Sequence, residues 1–139
     1  MLLLSTEDGF TGRVLDISMW YYPESGILHH QTHRFFHGKK WREALNKGAE
    51  VFQKYGATKW LSDEKDRGAV TQEDRDWSDN DWAPRMVKSG WKYWAIVLPA
   101  NVIAQMSMQK VADKRTAIGV TTKLFSSVDE AMKWLESCK

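Results

Sequence analysis

The sequence predicts an α/β protein with a single five-stranded, mainly parallel sheet, an antiparallel hairpin strand at one edge and about four helices. Short apolar runs bracketed by glycine or proline alternate with segments of helical period, which is typical of strands joined by crossover helices. Near the start, two β-rich runs flank a turn-forming segment and predict the hairpin. The expected element order is ββαβαβαβα.

Composition fits one globular domain. The chain has 139 residues, 42% of them apolar and 27% charged, close to globular averages. Its net charge of +2 is too small to predict a nucleic-acid partner. The single cysteine, Cys138, excludes an internal disulfide and favours a reducing, cytoplasmic location. The apolar residues 1–4 are too few for a signal peptide or an integral membrane segment.

The first elements form the predicted hairpin. We assign residues 1–12 to a loosely ordered leader and 13–139 to the α/β domain. The first strand is expected within 13–22, and a returning strand at 27–36. Between them, Pro23–Gly26 has the composition of a turn.

The clearest helix is predicted at Lys39–Tyr55. Its apolar residues recur at three- and four-residue steps, and Gly56 stands where a left-handed capping residue is usual. A second helix follows Thr71, a good N-cap, and Pro84 is expected to kink or split it.

The remaining elements alternate in the same way. Strands are expected at Thr58–Ser62, Trp91–Leu98 and Val120–Phe125, the middle one covered on both faces because it lacks polar alternation. Asn101 is expected to cap a helix at 102–115. Ser127, followed three residues later by a glutamate, forms a capping box for a final helix to about residue 137.

Several blocks in this order resemble the bacterial SpoIIAA-like group, related to STAS and lipid-transfer (CRAL-TRIO) domains. The blocks are the His29–Phe36 strand before Gly38, Lys59–Asp63, Gly68, Glu73–Asp74, Trp77, Trp82–Pro84, Gly90–Pro99, Lys123–Phe125 and Asp129–Leu135. The resemblance covers about residues 19–137. It implies a SpoIIAA-like fold in a group largely without assigned biochemistry.

The phosphorylation switch of the anti-sigma-factor antagonists is not carried over. In those proteins a serine that follows an aspartate at a strand-to-helix turn is phosphorylated. Here the turn from Asp63 to Thr71 lacks an Asp-Ser-Ser-Gly string. A phosphate on Thr71 would also meet the like charges of Glu73 and Asp74.

The four histidines are candidate metal ligands, but their spacing on a strand is unfavourable for a shared metal ion. On an extended segment, residues four apart are separated by about 13 Å, whereas two nitrogens on one zinc lie within roughly 4 Å. One metal would therefore need ligands from another strand or subunit. The four residues are His29, His30, His33 and His37.

The acidic stretch from Asp63 to Asp81 has no calcium-loop spacing, and we expect a solvated helix face. A pair of these carboxylates that acts in general acid–base catalysis is an alternative that the sequence leaves open. No nucleophile elbow or phosphate-binding glycine loop is present. We therefore predict neither a cofactor nor an enzymatic activity.

Eight tryptophans are the unusual feature of the composition. Trp41, Trp60, Trp94 and Trp134 are expected in the core. Trp77 and Trp82 lie among charges, five residues apart, so one of them is expected to be partly exposed.

The preferred hypothesis is a non-enzymatic regulatory domain that binds a protein partner or a second copy of itself. Its candidate surface comprises Asp63, Asp66, Trp77, Asp81 and Trp82, because exposed aromatics among charges are typical of interfaces.

The alternative is an apolar, lipid-like ligand site, by analogy with lipid-transfer domains. Its candidate residues are Trp82, Met86, Trp94 and Met106. A histidine-based metal enzyme is the third possibility.

Overall fold

The computed structural model describes residues 2–7, 14–66, 70–99 and 101–139, with side chains from Asp16 onward. The strands are β1 (Leu2–Glu7), β2 (Val14–Tyr22), β3 (Ile27–Thr32), β4 (Lys59–Asp63), β5 (Tyr93–Val97) and β6 (Thr121–Phe125). The helices are α1 (Lys39–Tyr55), α2 (Gln72–Trp77), α3 (Ala83–Lys88), α4 (Val102–Ala117) and α5 (Val128–Ser137), with a π-helical turn at Ser78–Trp82 between α2 and α3.

Within the described part, the strands form one sheet in the order β1-β2-β3-β4-β5-β6. β1 and β2, and β2 and β3, pair antiparallel, whereas β3 to β6 pair in parallel. The predicted α/β class and the order from β2 onward are confirmed.

Strand β1 is a correction to the prediction. Residues 1–12 were expected to be a loosely ordered leader, yet Leu2–Glu7 form a sixth strand on the edge of the sheet; residues 1 and 8–12 lie outside the described part of the chain. β1 is held by backbone pairing to β2, with two irregularities in its register. Such an edge strand needs no apolar period of its own, so the sequence carried no signal for it.

The local start and stop signals act as predicted. Gly56 ends α1 in the left-handed conformation, with φ of 64°, and Thr71 Oγ accepts a hydrogen bond from the Asp74 amide at the start of α2. Asn101 and Ser127 cap α4 and α5 through their side chains. The returning strand is shorter than predicted, because β3 ends at Thr32 and not at residue 36.

The sheet separates two apolar cores of unequal size. On one face α1, the α2–α3 segment and α4 pack on β2 to β6, and most of the tryptophans lie in this larger core. On the other face α5 packs against β4 and β5 through Ala131 and Leu135. In the described ranges, every helix falls short of the length and apolar character needed to cross a bilayer.

Candidate functional site: a tryptophan-lined cavity

A cavity of about 440 Å³ lies in the larger core, between the sheet and the helices. This volume falls in the range of small-molecule sites. Its aromatic lining is Trp41, Trp60, Trp82 and Trp94, and its main polar lining is His30, Ser62, Glu64, Ser78, Asp79 and Arg115.

The strand period explains which side chains line the floor of the cavity. On β4, Trp60 and Ser62 lie two residues apart, and Glu64 follows two residues later, so they share one face. The parallel register places His30 of β3 beside Ser62, and Trp94 of β5 beside Trp60. The floor is therefore built by three adjacent strands.

The tryptophans form a connected set of edge-to-face contacts. The Trp82 ring lies 5.3 Å from the Trp60 ring and 5.4 Å from the Trp91 ring, and Trp91 lies 5.5 Å from Trp94, between centroids. Trp82 Nε1 also donates to the Leu45 carbonyl at 2.9 Å. Edge-to-face geometry and bonded indoles hold the rings in place, so the aromatic lining is preformed.

His30 is held in one tautomer by two neighbours. Trp60 Nε1 donates to His30 Nδ1 at 2.8 Å, and an indole nitrogen can only donate. Nδ1 is therefore the acceptor, and Nε2 donates its proton to Glu64 Oε1 at 2.6 Å. With both ring nitrogens engaged, His30 offers no lone pair to a molecule in the cavity and is not placed to act as a general base.

Ser62 keeps an available proton. Trp94 Nε1 donates to Ser62 Oγ at 2.8 Å, so that oxygen is the acceptor in this bond. The hydroxyl hydrogen is not used by it and is free to donate. Ser62 is buried, and its hydroxyl is a donor that a bound molecule can use.

Arg115 supplies a buried cation. Its Nη1 donates to Asp79 Oδ1 at 2.7 Å and its Nη2 to Ser78 Oγ at 2.9 Å. The guanidinium carbon lies 5.9 Å from the centroid of the Trp94 ring. The Arg115 side chain is only 4% exposed, and within the described part of the chain its Nε has no hydrogen-bond partner.

Asp79 is kept ionised by this cluster. Burial raises its pKa, but hydrogen bonds from Arg115 and from Lys114, whose Nζ lies at 3.0 Å, outweigh burial and lower the pKa. Ser78 and Asp79 belong to the π-helical turn, in which the Ala83 amide donates to the Ser78 carbonyl. π-helical turns occur frequently at functional sites, and this one places Ser78, Asp79 and Trp82 on the cavity wall.

Comparison with known proteins gives a fold but no activity. No family model matches the sequence, and no curated protein does. Among solved structures, an uncharacterised protein of the DUF3478 family with a SpoIIAA-like fold, from Shewanella loihica PV-4, has a TM-score of 0.58 and 13% identity, covering 91% of this chain and 99% of its own. This chain has a SpoIIAA-like fold. The fold implied by the sequence blocks is confirmed, and at this identity the likeness carries no function.

The predicted interaction surface is not formed within this SpoIIAA-like fold. Trp82 is only 5% exposed and Asp63 is also buried, so neither belongs to a surface. Trp77 is half-buried against Trp41. Asp66 and Asp81 are exposed. Trp82 is buried because the π-helical turn directs it onto Trp60, a geometry that sequence spacing does not reveal.

The predicted solvated face of the acidic stretch is also partly wrong. Asp63, Glu64 and Asp74 are buried. Asp74 accepts hydrogen bonds from the Gly38 amide at 2.8 Å and from Arg42 Nε at 3.1 Å. Both partners lie at the start of α1, more than thirty residues from Asp74 along the chain.

Of the four residues predicted for an apolar-ligand site, two line the cavity. Trp82 and Trp94 do so, whereas Met86 lies fully buried in the core behind it and Met106 is 63% exposed. Arg115, which lines the cavity from α4, was not among the predicted residues. Its spacing of seven residues from Met108, which also lines the cavity, was the available signal, since this spacing places both on one helix face.

The histidines do not converge. His29 faces the side of the sheet opposite His30, where its Nδ1 lies 3.1 Å from the Tyr22 hydroxyl. His33 Nε2 lies 2.9 Å from Ser18 Oγ, and His37 stacks on Phe35. In the described ranges, no group of three or more His, Cys, Asp or Glu side chains is placed to hold a metal ion.

Proposed function

We propose that this protein binds a small, mainly apolar molecule in the tryptophan-lined cavity. The observation that carries the proposal is the cavity itself, about 440 Å³ in volume and walled by four tryptophans beside a few polar groups. Concave, mostly apolar sites with a small number of placed polar groups are the usual form of ligand pockets.

The chemistry of the lining supports binding more than catalysis. Both ring nitrogens of His30 are occupied, and Asp79 is paired with Arg115. The absence of enzymatic activity stays a prediction. The regulatory protein-binding role and a homodimer also stay predictions. The surface proposed for them is not assembled, because Trp82 and Asp63 are buried.

The test is titration with N-phenyl-1-naphthylamine, a neutral probe whose fluorescence rises in apolar surroundings. The cavity-filling variant is Ala104→Trp, because Ala104 lines the cavity on α4. The matched control is Ala117→Trp, at an exposed position at the end of the same helix. Circular dichroism checks that each variant folds.

We expect the wild-type protein and Ala117→Trp to bind one equivalent of probe. Ala104→Trp should bind at least tenfold more weakly, because the indole occupies the volume that the probe needs. Equal binding by all three proteins, or no binding by the wild type, would contradict the proposal.

A further inference from the structure

We infer that the molecule bound in the cavity carries a carboxylate, which Arg115 and Ser62 hold at the end of the cavity formed by Trp94. This inference rests on the proposed function and specifies its ligand class.

Arg115 has a donor beside the cavity that no described residue satisfies. Arg115 lines the cavity, and two of its three guanidinium nitrogens are bonded to Asp79 and Ser78. Its Nε, buried as it is, has no hydrogen-bond partner among the described residues. Buried polar groups in folded proteins are nearly always bonded, so an N–H left over beside a cavity is explained by an acceptor on the ligand.

The Ser62 hydroxyl is a further donor, next to the Trp94 ring. The Ser62 oxygen accepts from Trp94 Nε1, and the Arg115 guanidinium lies over the Trp94 ring. Both donors therefore lie beside the Trp94 side chain. A carboxylate has two oxygens that accept hydrogen bonds, so it can use both the Arg115 Nε–H and the Ser62 O–H.

The charge of Arg115 decides between a carboxylate and a neutral acceptor. Arg115 is a cation whose side chain is only 4% exposed. Hydrogen bonds between charged groups are stronger than those between neutral groups, so its Nε–H is expected to bind a carboxylate more tightly than an amide. A neutral amide can accept from the same donors, but without the added strength that the charge gives.

The experiment compares three probes of one ring system: 2-naphthoate, 2-naphthamide and 2-methylnaphthalene. Each competes with N-phenyl-1-naphthylamine for the wild-type protein at pH 7.5. We expect 2-naphthoate to bind about ten- to hundredfold more tightly than 2-methylnaphthalene, with 2-naphthamide between them. This comparison needs no variant, so it stands even where a substitution impairs folding.

Variants then locate the carboxylate. Arg115→Met keeps an unbranched side chain and removes the buried donor, and Ser62→Ala removes the hydroxyl. Lys114→Met is the control, since Lys114 is exposed and bonds the same Asp79 without lining the cavity. We expect the preference for 2-naphthoate to fall at least tenfold in Arg115→Met and severalfold in Ser62→Ala, and to change less than threefold in Lys114→Met.

The outcomes separate the two proposals. If N-phenyl-1-naphthylamine binds but the three competitors bind equally, the carboxylate inference is wrong and the apolar site stands. The same holds if 2-naphthoate is preferred equally by wild type and a folded Arg115→Met. If no probe binds the wild-type protein, both proposals fail.

Discussion

Gly48 of α1 lies where any side chain would collide with the floor of the cavity. A Cβ built at this position would lie 2.6 Å from Trp60 Cζ3 and would overlap the same ring at Cη2. The Trp60 ring cannot retreat easily, because it contacts Phe52 and Trp82 and its nitrogen is bonded to His30. Gly48→Ala is therefore a sensitive test of the packing.

Two effects of opposite sign decide the result. In a helix interior, alanine is favoured over glycine by about 1 kcal/mol. Overpacking a core costs about 1–3 kcal/mol, and the fixed ring places this site near the upper end. We expect a net loss of about 2 kcal/mol in the free energy of unfolding, measured by urea denaturation.

The control is a pair of substitutions at Gln53, an exposed position of the same helix. The difference between Gln53→Gly and Gln53→Ala gives the propensity gain alone, without a contact to Trp60. If Gly48→Ala raised the free energy of unfolding by the amount seen at Gln53, the close approach of α1 to the sheet would be refuted.

Two further predictions concern buried ionisable groups. Burial, and then the neighbouring His30, lower the pKa of His29 to about 4, so the folded state binds fewer protons than the unfolded chain between that value and about 6.5. Stability should therefore fall by about 2 kcal/mol from pH 7.5 to pH 5, and an equal loss in His29→Gln would contradict this assignment. At Asp74, burial raises the pKa, but hydrogen bonds from Gly38 and Arg42 outweigh burial and lower the pKa. The contribution of Asp74 to stability is therefore present at pH values above its unfolded-state pKa and is lost as the pH falls through its lower, folded-state pKa. Asp74→Ala should cost about 3 kcal/mol near pH 7, against less than 0.5 kcal/mol for the exposed Asp76→Ala, and equal urea midpoints for the two variants would rule out the role given to Asp74.

The course of the chain from β2 onward could be predicted because its signals are local. Thr71, Asn101 and Ser127 bond to backbone amides within three residues, and Gly56 needs only its own left-handed φ. The apolar run of β5 is buried on both faces, as predicted for a central strand. Strand β1 escaped prediction because its pairing with β2 is a long-range backbone contact that leaves no period in the sequence.

The site was predicted less well, for a related reason. Trp82 and Trp94 were identified as candidate cavity residues, but Met86 and Met106 point elsewhere because the helix faces that α3 and α4 turn inward depend on their docking. The histidines were expected to lie apart on an extended segment over Ile27–Phe36, and the strand observed there covers only Ile27–Thr32, with His29 and His30. The bond from Trp60 to His30, and that from Trp94 to Ser62, each join residues thirty or more positions apart.

By itself, then, the order of residues determined the elements from β2 onward, their caps and the α/β class, since these follow from contacts within a few positions. Only the tertiary structure decided that the tryptophans surround an open volume, that Trp82 leaves the surface, and that a cation is buried beside Trp94. Those features arise where β4, β5, the π-helical turn and α4 meet. Short-range periodicity does not encode the distance between elements so far apart in the chain.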